Sequence, residues 1–434
     1  MIKKAILTPF QKFVRIESFS GILLLGATII ALIWANSAFG ESYQQLWSYK
    51  IGITSQNFEL NKPILLWIND GLMAIFFFLI GLEIKREISI GELNSFRKLA
   101  FPLFGALGGM LVPVIFFISL NQDPETIKGW GVPMATDIAF SLAILSMLGK
   151  RVPLSLKIFL TAFAIVDDLG AVMAIAVFYS DNIQWSLIVI ALVILIFLYF
   201  LSYKQIYSKY FLLISGLFVW YLFLKAGVHP TVAGVLLAFA VPVHQKVRTA
   251  EYLERLESIA FKFKKAEISD KPILSKEQIV QIDDLENWTE DFQSPLQHLE
   301  HRLHNWVAYF IIPLFALANA GVVLQTSAGI DTALVRNIVI CLLVGNSIGI
   351  TSIITIVKKL KIIDVPKDIT FKHILGVSFL AGIGFTMAIF IASLAFANDP
   401  LLIDSAKIGI LIGSFCSAII GYLILRTNPK TNES

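Results

Sequence analysis

Two adjacent aspartates, Asp167 and Asp168, lie within an apolar stretch of the sequence, LKIFLTAFAIVDDLGAVMAIAVFY at residues 156–179. A charge at the centre of a bilayer costs at least about 2.5–3.5 kcal/mol on insertion scales, and acids inside spanning helices are therefore functional candidates by default. Successive helical residues point about 100° apart, so one carboxyl group can face a cavity while the other meets a neighbouring helix.

Two neighbouring carboxylates can hold either a metal cation or protons. Their titrations are coupled, and a hard cation such as Na⁺ prefers oxygen ligands. Asp167 and Asp168 therefore form a candidate exchange site, at which whichever species occupies the acids during turnover is transported. The structural alternative is that these acids only satisfy buried hydrogen-bond donors.

A third acid, Asp137, follows Pro133 and Thr136 in GWGVPMATDIAFSLAILSML at residues 129–148. A polar pair after a proline can cap a helix, so a structural reading of Asp137 stays open. The eleventh apolar run has a comparable break at Gly382-Ile-Gly384. Helix breakers in two spanning runs predict discontinuous helices whose ends face an ion site, and Asp137 could offset their positive N-termini.

The composition indicates a polytopic membrane protein. Of 434 residues, 56% are hydrophobic, 34 are Phe and 15% are charged, and the mean hydropathy is +0.76. Apolar runs recur near the roughly 20 residues that cross a hydrocarbon core of about 30 Å. Continuous runs of this kind predict helices rather than a closed barrel. We expect an all-α bundle of about 12 transmembrane helices, centred near residues 26, 76, 110, 136, 167, 193, 214, 234, 309, 346, 384 and 416.

Positive residues alternate between loops, which predicts an even helix count with both termini cytoplasmic. Lys and Arg precede the first run and recur after the second, fourth, sixth and tenth. The two cysteines, Cys341 and Cys416, lie in apolar runs, so neither a disulfide framework nor a metal site is expected. A phosphate-binding G-x-x-x-x-G-K-[ST] motif is absent, which argues against a built-in ATPase.

Two polar segments interrupt the apolar pattern. Residues 42–63 alternate around YKIGI and NFELN, which predicts a small external hairpin. Residues 244–296 form a hydrophilic insertion that we expect on the cytoplasmic side. Within it, Leu253, Leu256, Ile259, Ala260 and Phe263 recur at helical spacing. This helix is either solvated or docked on the membrane surface.

Four blocks of sequence closely resemble the NhaA-type sodium/proton antiporters. They are GLEIKRE at 81–87, ATDIAFSLAILSMLGKRVPLSLKIFLTAFAIVDDLGAV at 135–172, LEHRLHNWVAYFIIPLFALANAGV at 299–322 and GIGFTMAIFIASLAF at 382–396. The resemblance covers nearly the whole chain except residues 244–296. It implies the NhaA fold, with inverted repeats and two discontinuous crossing helices.

The resemblance also implies roles for individual residues. Asp168 matches the principal cation-binding carboxylate, and Asp167 matches its neighbour in proton exchange. Thr136 and Asp137 match residues beside the helix crossing. A cytoplasmic cluster associated with pH activation is matched by Glu83, Arg86, Glu87, Glu300, His301 and His304. Without the resemblance, this cluster reads as a solvated helix end.

Asn346, in LLVGNSIGI, stands where the family usually has a lysine. That lysine is understood to pair with the carboxylate matching Asp167 and to offset the negative ends of the broken helices. An asparagine carries neither a proton nor a positive charge. We therefore expect Asp167 to accept a proton more readily here than in a relative with the lysine, with consequences for the charge moved in transport.

The resemblance implies a transporter rather than an enzyme, without a cofactor, that exchanges internal Na⁺ or Li⁺ for external H⁺ in a prokaryotic plasma (inner) membrane. The expected partners are membrane lipids and a second copy bound through the 42–63 loop, and no nucleic acid. A sodium-coupled transporter of an organic solute on the same fold is the alternative. An intramembrane aspartic protease is disfavoured because Phe385 follows Gly384, where that class has aspartate. A cation channel fits broken helices around titratable acids less well.

Overall fold

The computed structural model describes residues 9–55, 58–91, 96–180, 183–245, 247–265, 273–323 and 329–429. Residues 56, 57, 246 and 266–272, which belong to the two polar interruptions, lie outside the described residues. The described chain is predominantly helical, with one two-stranded sheet. The expectation of an all-α polytopic membrane protein is confirmed.

The first half of the chain contains the hairpin and eleven helices. In chain order the elements are α1 (Pro9–Ala35), α2 (Gly40–Ser48), β1 (Lys50–Ser55), β2 (Phe58–Pro63), α3 (Ile64–Leu66), α4 (Met73–Ile90), α5 (Phe96–Leu120), α6 (Pro124–Ile127), α7 (Ile138–Met147), α8 (Leu154–Phe178), α9 (Trp185–Tyr203), α10 (Lys209–Lys225) and α11 (Thr231–Phe239). A π-helical turn, Trp67–Leu72, joins α3 to α4, and the 3₁₀ helices Lys128–Met134 and Gly149–Arg151 flank α7.

In the second half, the regular secondary structure of the described residues is entirely helical. Its elements are α12 (Thr249–Lys265), α13 (Lys276–Phe292), α14 (Pro295–Trp306), α15 (Ile312–Asn319), α16 (Thr332–Ile340), α17 (Asn346–Lys359), α18 (Phe371–Ala381), α19 (Phe385–Ala395) and α20 (Pro400–Arg426). The π-helical turns Val307–Ile311 and Cys341–Gly345 make α14–α15 and α16–α17 continuous.

The twelve predicted span centres coincide with helices or with breaks between helices. By length and apolarity seven described helices can cross a membrane, and two bent pairs bring the total to nine. The pairs are Pro124–Met134 with α7, bent by 44°, and α18 with α19, bent by 42°. The other three predicted spans coincide with α10, α11 and the α14–α15 helix, which are shorter or begin with a polar segment. Discontinuous helices, as predicted, occur at both sequence breaks.

Aromatic side chains fill the centre of the bundle. Phe77 on α4 and Phe315 on α15 both pack against Phe390 on α19, with ring centroids 5.7 and 6.1 Å apart. All three rings are fully buried. By contrast, most of α9 is exposed, as expected for a helix that faces lipid. The second broken helix is therefore held inside the bundle, where water is excluded.

The 42–63 loop contains α2 and the antiparallel pair β1–β2, in which Ile51 faces Lys62 and Ile53 faces Leu60. Among the described residues, no third strand joins this sheet. Ile51 and Ile53 are exposed. An apolar, two-stranded hairpin of this kind leaves strand edges that can pair with another chain.

The hydrophilic insertion consists of two packed helices, of which the sequence pattern indicated only α12. Tyr252 stacks on Phe292 with ring centroids 4.1 Å apart, and Arg255 pairs with Asp284 at 2.8 Å. Ile259 is buried, whereas Leu253 and Leu256 are exposed. The apolar residues of α12 thus divide between the contact with α13 and an open surface.

Candidate ion site at the crossing of two broken helices

The first break lies between the 3₁₀ helix Lys128–Met134 and α7. Ala135 and Asp137 have extended backbones, with ψ of 139° and 101°. Pro133 lies inside the 3₁₀ helix, and a proline lacks the N–H that a continuing helix would use. The sequence therefore ends one helix here and starts another within the membrane.

The second break, between α18 and α19, depends on close approach of backbones. A Cβ atom at Gly382 would overlap the carbonyl oxygen of Leu342, and one at Gly384 would lie 3.0 Å from the carbonyl oxygen of Ala135. Only glycine permits these contacts without displacement. The two breaks also contact each other directly, because the backbone N–H of Asp137 donates to the carbonyl of Ile383 at 2.6 Å.

Asp137 caps both helices that start at the crossing. Its Oδ1 accepts the N–H of Phe140 in α7 at 3.1 Å. Its Oδ2 accepts the N–H of Thr386 in α19 at 3.2 Å and the Thr386 hydroxyl at 2.6 Å. A carboxylate at a helix N-terminus satisfies unpaired amides and complements the dipole. The capping alternative considered for Asp137 is thus what the geometry shows, and it spans two helices.

Hydroxyl groups satisfy backbone groups of the helices that end and begin at the crossing. Thr136 Oγ1 donates to the carbonyl of Ala381 at 2.8 Å, and Ser141 Oγ donates to the carbonyl of Leu380 at 2.8 Å. Ser414 on α20 accepts the N–H of Phe385 at 3.2 Å. In a bilayer each unpaired backbone group is costly, so these contacts let the helix end at this depth. Ser141 and Ser414 were not singled out from the sequence, because a serine in an apolar run is a common feature.

The Asn346 side chain lies at the C-terminal end of the 3₁₀ helix Lys128–Met134. Its Nδ2 donates to the carbonyl of Pro133 at 3.0 Å, at the C-terminal end of the 3₁₀ helix. The amide is therefore a neutral hydrogen-bond donor at this helix end. Its Oδ1 is buried and accepts no hydrogen bond from the described residues.

The aspartate pair lies beside this crossing and is largely unpaired. Asp167 Oδ2 accepts the N–H of Thr136 at 3.1 Å, whereas its Oδ1 is buried without a donor among the described residues. Asp168 is 4% exposed, and its carboxylate accepts no hydrogen bond from a described side chain. The pair thus has free oxygen atoms, while Asp137 is fully engaged. Four predicted residues, Thr136, Asp137, Asp167 and Asn346, are joined by direct contacts to the crossing.

A second group of titratable residues lies where α4 meets α14, and we call it the α4–α14 cluster (Glu17, Glu83, Arg86, Glu87, Glu300 and His304). Arg86 pairs with Glu87 at 2.7 Å and with Glu300 at 3.0 Å. His304 lies 3.8 Å from Glu83 and 3.4 Å from Glu17. Glu17 was missed by the sequence reasoning, although an acid at the start of an apolar run is a visible signal. His301 lies on the exposed face of α14.

Glu300 lies in the polar part of α14, outside the candidate spans. Burial raises the pKa of the Glu300 carboxyl to about 7, although the neighbouring Arg86 guanidinium opposes the shift. Glu83 adds repulsion, and His304 opposes it. The Glu300 carboxyl group therefore changes charge near neutral pH.

Another titratable group that the sequence analysis did not single out lies near the β1–β2 hairpin. Asp70, in the π-helical turn before α4, pairs with Lys62 of β2 at 2.7 Å and lies 3.6 Å from His229 Nε2. The indole N–H of Trp220 also donates to the Asp70 carbonyl at 2.8 Å. This acid is balanced by a lysine, unlike Asp167 and Asp168. Among the described residues, no three His, Cys, Asp or Glu side chains form a metal-binding group.

Comparison with known proteins gives one consistent answer. Residues 11–425 match the family model described as Na⁺/H⁺ antiporter 1. A relative from Oleidesulfovibrio alaskensis named Na(+)/H(+) antiporter NhaA is 47% identical, over 99% of this chain and 96% of its own. Relatives from Saccharophagus degradans and Bacteroides thetaiotaomicron, named Na(+)/H(+) antiporter NhaA 1 and Na(+)/H(+) antiporter NhaA, are each 42% identical over 97% of this chain, and over 91% and 98% of their own. The resemblance found in the sequence is confirmed, and the chain is a member of the Na⁺/H⁺ antiporter 1 family.

Proposed function

We propose that this protein is a secondary active antiporter that exchanges internal Na⁺ or Li⁺ for external H⁺. The observation that supports it best is the state of the aspartate pair. One carboxylate oxygen of Asp167 is buried beside two broken helices without a hydrogen-bond donor from the described chain, and the neighbouring Asp168 is 4% exposed. Family membership and the names of the relatives support the same activity. They do not support the alternative of a solute-coupled transporter, and they indicate a transporter rather than an enzyme.

The three acids have different roles in the site. Asp137 accepts three hydrogen bonds from α7 and α19 and holds the crossing in place. Asp168 and Asp167 Oδ1 bind either the cation or protons, because both species satisfy carboxylate oxygens. Binding of one species displaces the other, so each exposure of the site to one side of the membrane exchanges them. No cofactor takes part; Na⁺ or Li⁺ and H⁺ are the substrates.

The replacement of the usual family lysine by Asn346 affects the net charge that is moved in each transport cycle. If two protons exchange for one sodium ion, each net charge contributes about 2.3 kcal/mol per 100 mV of membrane potential. Asn346 cannot carry one of those protons. Both protons then occupy Asp167 and Asp168, and transport of one proton per ion is the electroneutral alternative. A voltage-clamped comparison of wild type with Asn346→Lys distinguishes them, and identical electrogenic exchange in both proteins would remove this position from the charge balance.

The exchange itself is tested in proteoliposomes that contain a pH-sensitive dye. Addition of Na⁺ or Li⁺ to wild type should dissipate a preset pH gradient without any organic solute. Asp168→Asn should reduce this exchange at least 100-fold, because the main carboxylate ligand loses its charge. Asp284→Asn, which changes an acid of the insertion that pairs with Arg255, is the matched control and should exchange at the wild-type rate. Exchange by Asp168→Asn at the wild-type rate would overturn the proposal.

We further propose that the protein resides in the bacterial inner membrane with both termini in the cytoplasm, and that two copies associate through the 42–63 loop. The exposed Ile51 and Ile53 of the β1–β2 hairpin support this interface. Native mass spectrometry in mild detergent should detect a dimer, and Ile53→Lys should convert it to a monomer. A dimer that survives this substitution and deletion of residues 50–63 would exclude the hairpin as the interface.

We also propose that pH regulates exchange through the α4–α14 cluster. Glu300 changes charge near pH 7, and it faces Arg86, Glu83 and His304. α4, which provides Arg86 and Glu83, also packs against α8, the helix of the aspartate pair. A change of charge in the cluster is thus transmitted to the exchange site through packed helices.

A further inference from the structure

The Asn346 side chain has two ends with different environments. Its Nδ2 donates to the carbonyl of Pro133 at 3.0 Å and, more weakly, to the carbonyl of Leu342 at 3.4 Å. If the amide were turned over, Oδ1 would face two carbonyl oxygens that also only accept hydrogen bonds. The network therefore fixes the orientation of the amide, with the donor toward the helix end and the acceptor away from it.

Asn346 Oδ1 is an acceptor that lacks a donor. The residue is 1% exposed, and no described residue donates to this oxygen. Buried polar atoms are almost always paired, and an unpaired one in a native protein needs a specific explanation. Because the atom is an acceptor only, its partner is either a cation or a hydroxyl or water proton.

The unpaired oxygen faces Gly109 on α5. A Cβ atom on Gly109 would lie 3.4 Å from Asn346 Oδ1 and 3.2 Å from the ring of Phe163. Phe163 precedes Asp167 by four residues, so the two share a face of α8. Gly109 on α5 thus adjoins both Asn346 Oδ1 and the face of α8 that carries Asp167.

The extended segment at the first break links the two groups. Asn346 binds the carbonyl of Pro133 at one end of this segment, and Asp167 binds the N–H of Thr136 at the other. Each uses one polar atom to hold the segment and keeps one oxygen unpaired. The same few residues thus present two acceptor oxygens, one charged and one neutral.

We propose that Asn346 Oδ1 is a direct ligand of the transported cation, together with the carboxylates of Asp167 and Asp168. The proposal rests on the antiport function above and extends it. Na⁺ and Li⁺ take carbonyl-type oxygens as readily as carboxylates, as other hard cations do. A neutral amide oxygen does not accept a proton near neutral pH. It therefore stabilises the cation-bound state and not the protonated state, and so shifts the competition at the site toward the cation.

The tests separate the acceptor role of Asn346 from its donor role. Asn346→Leu removes both roles at similar size, whereas Asn346→Asp keeps an acceptor and removes the donor to Pro133. We expect Asn346→Leu to raise the KM for Na⁺ at least tenfold in the dye assay and to change the ratio of the Li⁺ and Na⁺ KM values. Asn346→Asp should keep the KM for Na⁺ within threefold of wild type, or lower it.

A buried asparagine elsewhere in the same span is the matched control. Asn337 is 2% exposed and donates to Asn121 at 3.1 Å and to the carbonyl of Leu120 at 3.2 Å. Asn337→Leu should lower thermal stability but leave the KM for Na⁺ unchanged. If Asn346→Leu does not fold, Asn346→Ala is used instead, and the upward shift of Tm that Na⁺ causes in detergent replaces the transport readout.

An unchanged KM in Asn346→Leu, or an equal loss in the Leu and Asp variants with unchanged cation preference, would overturn this inference and assign Asn346 a purely structural role. An unchanged Na⁺-induced Tm shift in Asn346→Ala would do the same. Failure of the antiport proposal is distinct, because wild type would then show no Na⁺-dependent exchange. In that case the inference falls with it.

Discussion

The helix crossing and the α12–α13 hairpin both use aspartates to hold helices together, but with different consequences. At the crossing, Asp137 is 3% exposed and accepts hydrogen bonds from the N-terminal ends of α7 and α19. In the α12–α13 hairpin, Asp284 pairs with Arg255, and the side chain of Asp284 is 26% exposed and that of Arg255 38%. Water can replace a lost partner in the hairpin, whereas at the crossing it cannot.

This contrast shows that the surroundings of an acid, rather than its type, decide how much it contributes to folding and transport. An exposed ion pair contributes about 0–1 kcal/mol. A helix cap contributes about 1 kcal/mol in water, and an unpaired backbone group in hydrocarbon costs several kcal/mol. Substitutions at the crossing should therefore affect folding and transport together, and substitutions in the hairpin should affect neither strongly.

The largest effect is expected from Gly382→Leu. A side chain at this position overlaps the carbonyl oxygen of Leu342, which is backbone and cannot move aside easily. We expect no folded protein after detergent extraction, as measured by size-exclusion chromatography. Gly26→Leu on α1 is the control, because a Cβ there meets nothing within 4 Å. Recovery of folded, active Gly382→Leu would show that the two breaks do not need close contact.

The next effect is expected from Asp137→Ala, which removes the acceptor shared by Phe140 and Thr386. Two caps are lost at about 1 kcal/mol or more each, so we expect a lower Tm and at least a 50-fold loss of exchange in proteoliposomes. Asp137→Asn keeps one acceptor oxygen and should recover part of both. Asp284→Ala should stay within twofold of wild type. Equal effects of Asp137→Ala and Asp284→Ala would erase the contrast between the two regions.

A smaller effect is expected from Glu300→Gln in the α4–α14 cluster. The pKa of Glu300 is raised to about 7 by burial, so the carboxyl is neutral below this pH and pairs with Arg86 as an anion above it. Glutamine imitates the neutral form at every pH. We expect the pH of half-maximal exchange to move upward by about one unit, while the maximal rate is retained. Glu290→Gln, in an exposed pair with Lys209, is the control, and a pH profile that Glu300→Gln leaves unchanged would contradict the assignment.

The smallest effect is expected from Arg255→Ala in the hairpin. The substitution removes the pair with Asp284 and the stacking of the guanidinium 5.6 Å from the centroid of Trp288. These exposed contacts contribute about 1 kcal/mol or less each, so the insertion should become more sensitive to protease. Exchange should remain within twofold of wild type. A loss of exchange above fivefold would assign the insertion a direct part in transport.

Much of the fold followed from local features of the sequence. Apolar runs near 20 residues predicted the spans, and Pro133 and Gly382-Ile-Gly384 predicted the breaks, because span length and helix breaking depend on residues close in sequence. The second helix of the insertion, α13, was missed because it is mostly polar, and its stability depends on packing against α12. Glu17 was missed because its partner, His304, is far away in sequence.

The sequence by itself determined that this chain crosses the membrane many times, that it places three acids among apolar residues, and that it belongs with a particular class of ion exchangers. Only the tertiary structure decided what each acid does. Asp137 and Thr386 are 249 positions apart, and Asn346 and Pro133 are 213 apart. No periodicity extends over such distances, so the pairing of helix ends is set by how the helices pack. The physical reason is that every backbone group exposed at a break must find a partner inside a medium without water.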